Sequence, residues 1–228
     1  DTMVHLAGAT AFVLIGLRGK SWWMLPMIIA DFGLIALKNR GGMLAFLLAM
    51  AVVLALRSRR VRIGMWSYLS VVGVLLLLLI NPKIELYGER SVSLEQLADN
   101  FRSLTGSSGE AALEGSKEWR LSWWSDIVEY TFAGKYFLAG KGFGINLATD
   151  DGYQVDEEES LRSPHNGHLT VLARMGVPAF LLWVLLQSAW AISILRSLLL
   201  ARARAEDGWH GLFLFLLAYW AAFMVNIT

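Results

Sequence analysis

"HLTVLARMGVPAFLLWVLLQSAWAISIL", residues 168–195, decides the fold class. Arg174 is its one full charge among Lys, Arg, Asp and Glu. As a helix rising 1.5 Å per residue, a run of this length exceeds a hydrocarbon core of about 30 Å. Five further apolar runs stand on either side of it, at 3–17, 22–37, 41–56, 63–80 and 209–227. The first three are short for a full span and imply tilt, inner packing or extension into neighbouring residues. The chain of 228 residues is 56% hydrophobic, with mean hydropathy +0.49. That is above the usual apolar share of a soluble domain, and it comes in blocks. The sequence therefore predicts an all-α fold, a polytopic transmembrane helix bundle. Residues 1–80 form four helices with short loops, 81–167 a long loop subdomain, and 168–228 two more helices. Cysteine is absent, which excludes disulfides, thiolate metal sites and a cysteine nucleophile. Both ends abut apolar runs without a secretory leader, the expected look of a portion of a longer membrane protein.

Charge sets the orientation. "RSRRVR" (57–62) carries four arginines, "RSLLLARARAEDG" (196–208) three, and the first connection holds Arg18 and Lys20. These three loops alternate correctly to lie together on the cytoplasmic face. "KNRGG" and the whole 81–175 segment then fall on the exported face. That segment carries 15 acids against 9 Lys and Arg, as suits an exported loop. Asp31, inside the second run, reads either as a functional intramembrane carboxylate or as an interfacial group paired to Lys38 or capping a helix.

The exported segment is too long for a passive connector. An amphipathic helix is expected from about Ser93, then a Gly/Ser-rich loop, "TGSSGEAALEGS". "KEWRLSWWSDIVEYTF" follows, with Leu121, Trp124, Ile127, Val128 and Phe132 at helical spacing and Trp119 and Trp123 beside them. This predicts a helix at the membrane interface, where Trp rings sit. "GKGFG" reads as a tight turn; it lacks the strand and lysine spacing of a phosphate loop. "DDGYQVDEEES" reads as a solvated acidic loop. Its run Asp156–Glu159 does not converge readily on one cation.

Three basic sites could carry chemistry on the exported face. Arg40 follows Asn39, a good N-cap, so it stands in the first turn of a helix with Gly41 and Gly42 beside it. A guanidinium there, added to free N–H groups, suits a diphosphate; the alternative is a headgroup anchor. Arg120 on the Trp-rich helix reads as a surface anchor or as a group folded back over the membrane mouth. His165 follows Ser163–Pro164, which resembles an N-cap and N1 proline, placing it in a helical first turn. The positive helix end would keep the imidazole neutral, able to accept a hydroxyl proton. Asn166 is the alternative cap, leaving His165 just outside the helix. His168 could share the face of His165, but no third metal ligand has suitable spacing, so no metal is expected. No nucleophile-elbow motif supports a serine triad. Arg174, nine residues after His165, points the other way and reads as packing or an anchor.

These stretches resemble a known family. "NRGGMLAFLLA" resembles the "S-R-G" start of a transmembrane helix in bacterial O-antigen ligases and related polymerases. "WRLSWWSDIVEYTFAGKYFLAGKGFG" resembles their "R-x-x-x-W…P-x-x-G-x-G-x-G" segment, and "SPHNGHLTVLARMGVPAFLLW" their "H-N-x-x-L…G-x-x-G" segment. The order is kept, with Asn39 in place of the usual Ser and Lys135-Tyr136-Phe137 where His-Pro is common. The resemblance implies a membrane glycosyltransferase of the GT-C type in the bacterial inner membrane, with its active site facing the periplasm. It implies transfer of a glycan from an undecaprenyl-diphosphate carrier to an acceptor sugar, with lipid A-core as the ligase acceptor and a second lipid-linked repeat as the polymerase acceptor. By the same resemblance Arg40 and Arg120 bind the donor diphosphate and His165 is the base, with Asn166 and His168 in support. It implies no cofactor, no metal and no nucleic acid, with inversion at the anomeric carbon. A polysaccharide transporter component is the rival class, but it needs charges along the spans, where Asp31 alone qualifies.

Overall fold

The computed structural model describes residues 5, 7–11, 40–57, 84–85, 91–92 and 111–226. Helix dominates them: α1 (Arg40–Leu56), α2 (Ala111–Phe132), α3 (Leu147–Asp151), α4 (Gly167–Ala203) and α5 (Asp207–Asn226). The exception is a two-residue antiparallel pair, β1 (Ile84–Glu85) and β2 (Ser91–Val92), in register Ile84↔Val92 and Glu85↔Ser91. α4 and α5 are long and apolar enough to cross a membrane. The expected helices at 22–37 and 63–80, most of 3–17, Asp31, Asn39 and the helix from Ser93 lie outside the described residues.

The chain divides into two compact units, residues 1–108 with 191–226, and residues 109–190 with 227–228. In the first, α1 packs on α5 through small side chains. Ala7, Ala11, Ala45, Ala49, Val53, Ala218 and Ala222 form one buried cluster. In lipid no hydrophobic force drives helices together, so close van der Waals approach of small residues does that work. A Cβ on Gly8 would come within 2.5 Å of the Tyr219 ring, whose hydroxyl bonds His5 Nδ1 at 3.0 Å. Buried His210 sets Nε2 3.2 Å from the Leu56 carbonyl, satisfying an open acceptor at the end of α1. α1 begins one residue before the expected 41–56 run. α4 outruns its expected end at 195, because Arg196–Ala203 is a run of good helix formers. The turn to α5 shrinks to 204–206, with Ala205 left-handed (φ 57).

The second unit holds the candidate site. α2 starts at Ala111, so part of the expected Gly/Ser loop is helical; Ala111, Ala112, Leu113 and Glu114 favour helix. Its apolar residues divide. Trp123 and Ile127 turn inward with Leu147, Ala148, Leu161, Leu172, Ala173 and Val177, while Leu121, Val128 and Phe132 stay exposed. The expected single interfacial row thus loses Ile127 to the core. α3 replaces the start of the expected solvated loop. Asn146 caps it, accepting from Ala148 N, and Gly152 closes it in the left-handed region (φ 80).

α4 is broken at Gly176 (φ 77, ψ −179). Trp183 Nε1 donates to His168 Nδ1 at 3.1 Å across the break. A straight helix would hold residues fifteen apart about 22 Å from each other along its axis. The chain therefore turns sharply, and the stretch before Gly176 is not collinear with 177–203, which alone is about 40 Å long. This corrects the expected single span over 168–195. Val177 N, freed by the break, donates to the Phe137 carbonyl at 2.8 Å, and Pro178 needs no partner in a new first turn.

The "GKGFG" turn docks on this break. Lys141 N donates to Ala173 O (2.7 Å) and Gly142 N to Arg174 O (2.9 Å). Arg174 grips the turn in return, donating to the carbonyls of Gly142 and Ile145. A Cβ on Gly140 (φ +62) would meet Arg174 C at 2.4 Å, and one on Gly176 would meet Phe137 O at 2.6 Å. Gly140→Ala should cost about 2–4 kcal/mol, combining overpacking with a left-handed backbone. Gly142→Ala, with open space around its Cβ, should cost about 1 kcal/mol from the backbone alone. Melting of the purified proteins in detergent checks this; equal melting temperatures for the two variants would refute the close-approach account.

Candidate active site

The loop entering α4 sets the site. Asn166 is buried; its Oδ1 accepts from Leu169 N (3.1 Å) and its carbonyl from Thr170 N (2.9 Å). It is therefore the N-cap, and the expected Ser163–Pro164 cap is corrected to the alternative. His165 stands just outside the helix, in the left-handed region with φ 53. Its side chain stays accessible, while Pro164 and Asn166 on either side are buried.

α2 runs past this loop. Trp124 Nε1 donates to the Pro164 carbonyl at 2.9 Å. Arg120, four residues earlier, shares that helical face. Its charge reaches the imidazole: partial burial first, and then Arg120, hold His165 below the ordinary histidine pKa. The imidazole is thus biased to neutral, as expected from sequence, though through burial and a neighbouring cation rather than through helical position. A neutral ring beside a fixed cation can take a proton while the cation faces an anion.

The other expected residues fall elsewhere. His168 lies in the first turn of α4 and accepts from Trp183, so it serves the bend. Arg40 opens α1 in the first unit, and its side chain lies outside the described residues. Among the described residues no three His, Asp or Glu side chains gather as metal ligands do.

Sequence reasoning missed a buried polar knot in the same unit. Lys141 pairs with Asp150 (2.6 Å) and with Asp151, whose side chain is 3% exposed. Asp151 also accepts from Trp123 Nε1 (2.6 Å) and from Tyr130 OH (3.3 Å). Lys141 Nζ lies 4.3 Å from the Tyr130 ring centroid. Burial, and then Asp151, push the Tyr130 pKa up, so the phenol keeps its proton and donates. The signal was present: a buried Trp N–H and a lysine in a glycine turn both need an acceptor.

The O-antigen ligase family model matches residues 25–184. This chain belongs to the O-antigen ligase family. No curated protein and no solved structure matches it. The family span encloses Arg40, Arg120 and the whole loop from Ser163 to His168, together with the docked glycines Gly140 and Gly176. Membership makes the chain a glycosyltransferase-type membrane protein of the ligase and polymerase group, working on lipid-linked glycans.

Proposed function

We propose that this protein transfers a glycan from undecaprenyl diphosphate to a sugar hydroxyl of lipid A-core, at the periplasmic face of the inner membrane. The observation that carries the reading is the Arg120 charge acting on a histidine held outside a helix end. The acceptor hydroxyl gives its proton to His165 while its oxygen attacks the anomeric carbon. The bond from that carbon to the diphosphate oxygen breaks with its electron pair on the leaving group. Arg120 binds the diphosphate and stabilises the charge it gains, and the family resemblance assigns Arg40 the same role. One displacement inverts the anomeric centre. Two arginines supply the charge that a metal would otherwise bring. In this reading the protein has a GT-C-type fold, with the loop subdomain outside the membrane.

The test is transfer by the purified protein in liposomes, from an undecaprenyl-diphosphate-linked glycan, with two acceptors offered separately. Lipid A-core should be extended, and saturating chelator should leave the rate unchanged. Product with the lipid-linked repeat alone would make the enzyme a polymerase. Loss with chelator and recovery with zinc would overturn the metal-independent mechanism. Movement of the carrier across the bilayer without a new glycosidic bond would make it a transporter.

A further inference from the structure

We infer that Trp124 is a positioning residue, whose indole N–H holds the Pro164 carbonyl and so fixes His165 beside Arg120. The inference rests on the reading of His165 as the base. A residue with a Cβ does not settle in the left-handed region unless its neighbours hold it there. His165 (φ 53) is held on both sides. After it, buried Asn166 is locked into the cap of α4. Before it, Pro164 is fully buried, and its carbonyl, one bond from the His165 nitrogen, receives the Trp124 N–H at 2.9 Å.

Trp124 is also the right residue to set a distance to Arg120. The two stand four apart on α2, one turn along the same face. The helix carrying the cation is therefore the helix that holds the histidine loop, across a sequence separation of 40 residues. The neighbouring tryptophans have other tasks. Trp123 is buried and bonded to Asp151, and Trp119 packs edge-on against Trp123 and Tyr153. The charge that acts on the imidazole from α2 is that of Arg120; on its own segment Arg162 and His168 flank it in sequence.

The experiment is steady-state transfer by Trp124→Phe in liposomes, with Trp119→Phe and His165→Ala alongside. Phe keeps an aromatic ring and removes the donor. Trp124→Phe should lower kcat about tenfold or more, within the range a misplaced base loses. The donor KM should stay within about twofold, since a displaced base costs orientation in the reacting complex rather than binding. The variant should also move the acid limb of the pH–rate profile upward, toward an ordinary histidine, as the imidazole leaves its partly covered place near the Arg120 charge. Trp119→Phe should leave that limb in place. Trp124→Gln, which returns an N–H donor without the indole, should recover part of kcat and of the limb. It also serves if the Phe variant does not fold. Wild-type kcat and an unmoved limb in Trp124→Phe would overturn the inference while an inactive His165→Ala upholds the base. Equal limb shifts in the Trp119 and Trp124 variants would reduce Trp124 to general packing. Full turnover in His165→Ala would overturn the underlying reading itself.

Discussion

His165→Ala should lower the transfer rate by roughly 10²–10⁴-fold, the usual worth of a positioned general base. That is about 3–5 kcal/mol of activation free energy. The fold should survive, because His165 is accessible and makes no bond on which α4 depends; Asn166 carries the cap. Alanine also tolerates the left-handed backbone poorly, so Asn, which adopts it more readily, is the better matched second variant. The pH dependence has a fixed sign. The base acts in its neutral form, and burial and Arg120 set its pKa below the ordinary value of about 6.5. Activity should therefore hold through neutral pH and fall as pH drops through that lowered pKa. Arg120→Gln should raise the limb by removing the cation, and weaken donor binding as well. A pH profile flat down to the acid range in the wild-type enzyme would contradict a histidine base.

The second large effect is on stability. Lys141→Ala should cost about 3–5 kcal/mol, the range for removing one partner of a buried ion pair. The penalty arises at Asp151, left buried with its charge and two neutral donors, Trp123 and Tyr130. Burial lowers the Lys141 pKa, but the bonds to Asp150 and Asp151 outweigh it, and the net shift is upward. The ammonium is thus in place at neutral pH, and its contribution is lost only as pH rises through a pKa above 10.5. The double variant Lys141→Met, Asp151→Asn should lose clearly less than the sum of its single changes, since no charge is then stranded. Melting in detergent, followed by tryptophan fluorescence, reads both effects. An additive double variant would mean that the pair is not coupled.

How much was legible follows from what each feature depends on. α1 and the start of α5 came within two residues of the sequence expectation, because apolar runs bounded by polar residues mark themselves. The end of α4 did not, since Arg196 and Arg202 read as loop charges yet lie within the helix. The bend at Gly176 left no trace in periodicity, which is apolar on both sides. Gly176 and Pro178 allow the break, since proline lacks a donor and crowds the carbonyl four residues back, and the backbone of Phe137 and Ala139 docks where a Cβ on Gly176 would sit. The two cap signals at Ser163–Pro164 and Asn166 were equally good locally; burial of Asn166 decided between them. Asp151 read as solvated because its neighbours are acidic, and only the tertiary fold brings it to Lys141 and Trp123. Likewise no spacing rule joins Arg120 to His165. The hydrogen bond from Trp124 to the Pro164 carbonyl, which ties α2 to the loop of His165, forms only in the folded chain.

The sharp bend at Gly176 also has a stereoelectronic outcome. By returning Trp183 to His168, it engages the Nδ1 lone pair of that ring. A neutral imidazole has one such lone pair, so its proton resides on Nε2 and the ring can donate but not accept. Two histidines three residues apart are thereby made chemically unequal. The fold ties the ring of one to the bend and leaves the other accessible at the entrance to α4.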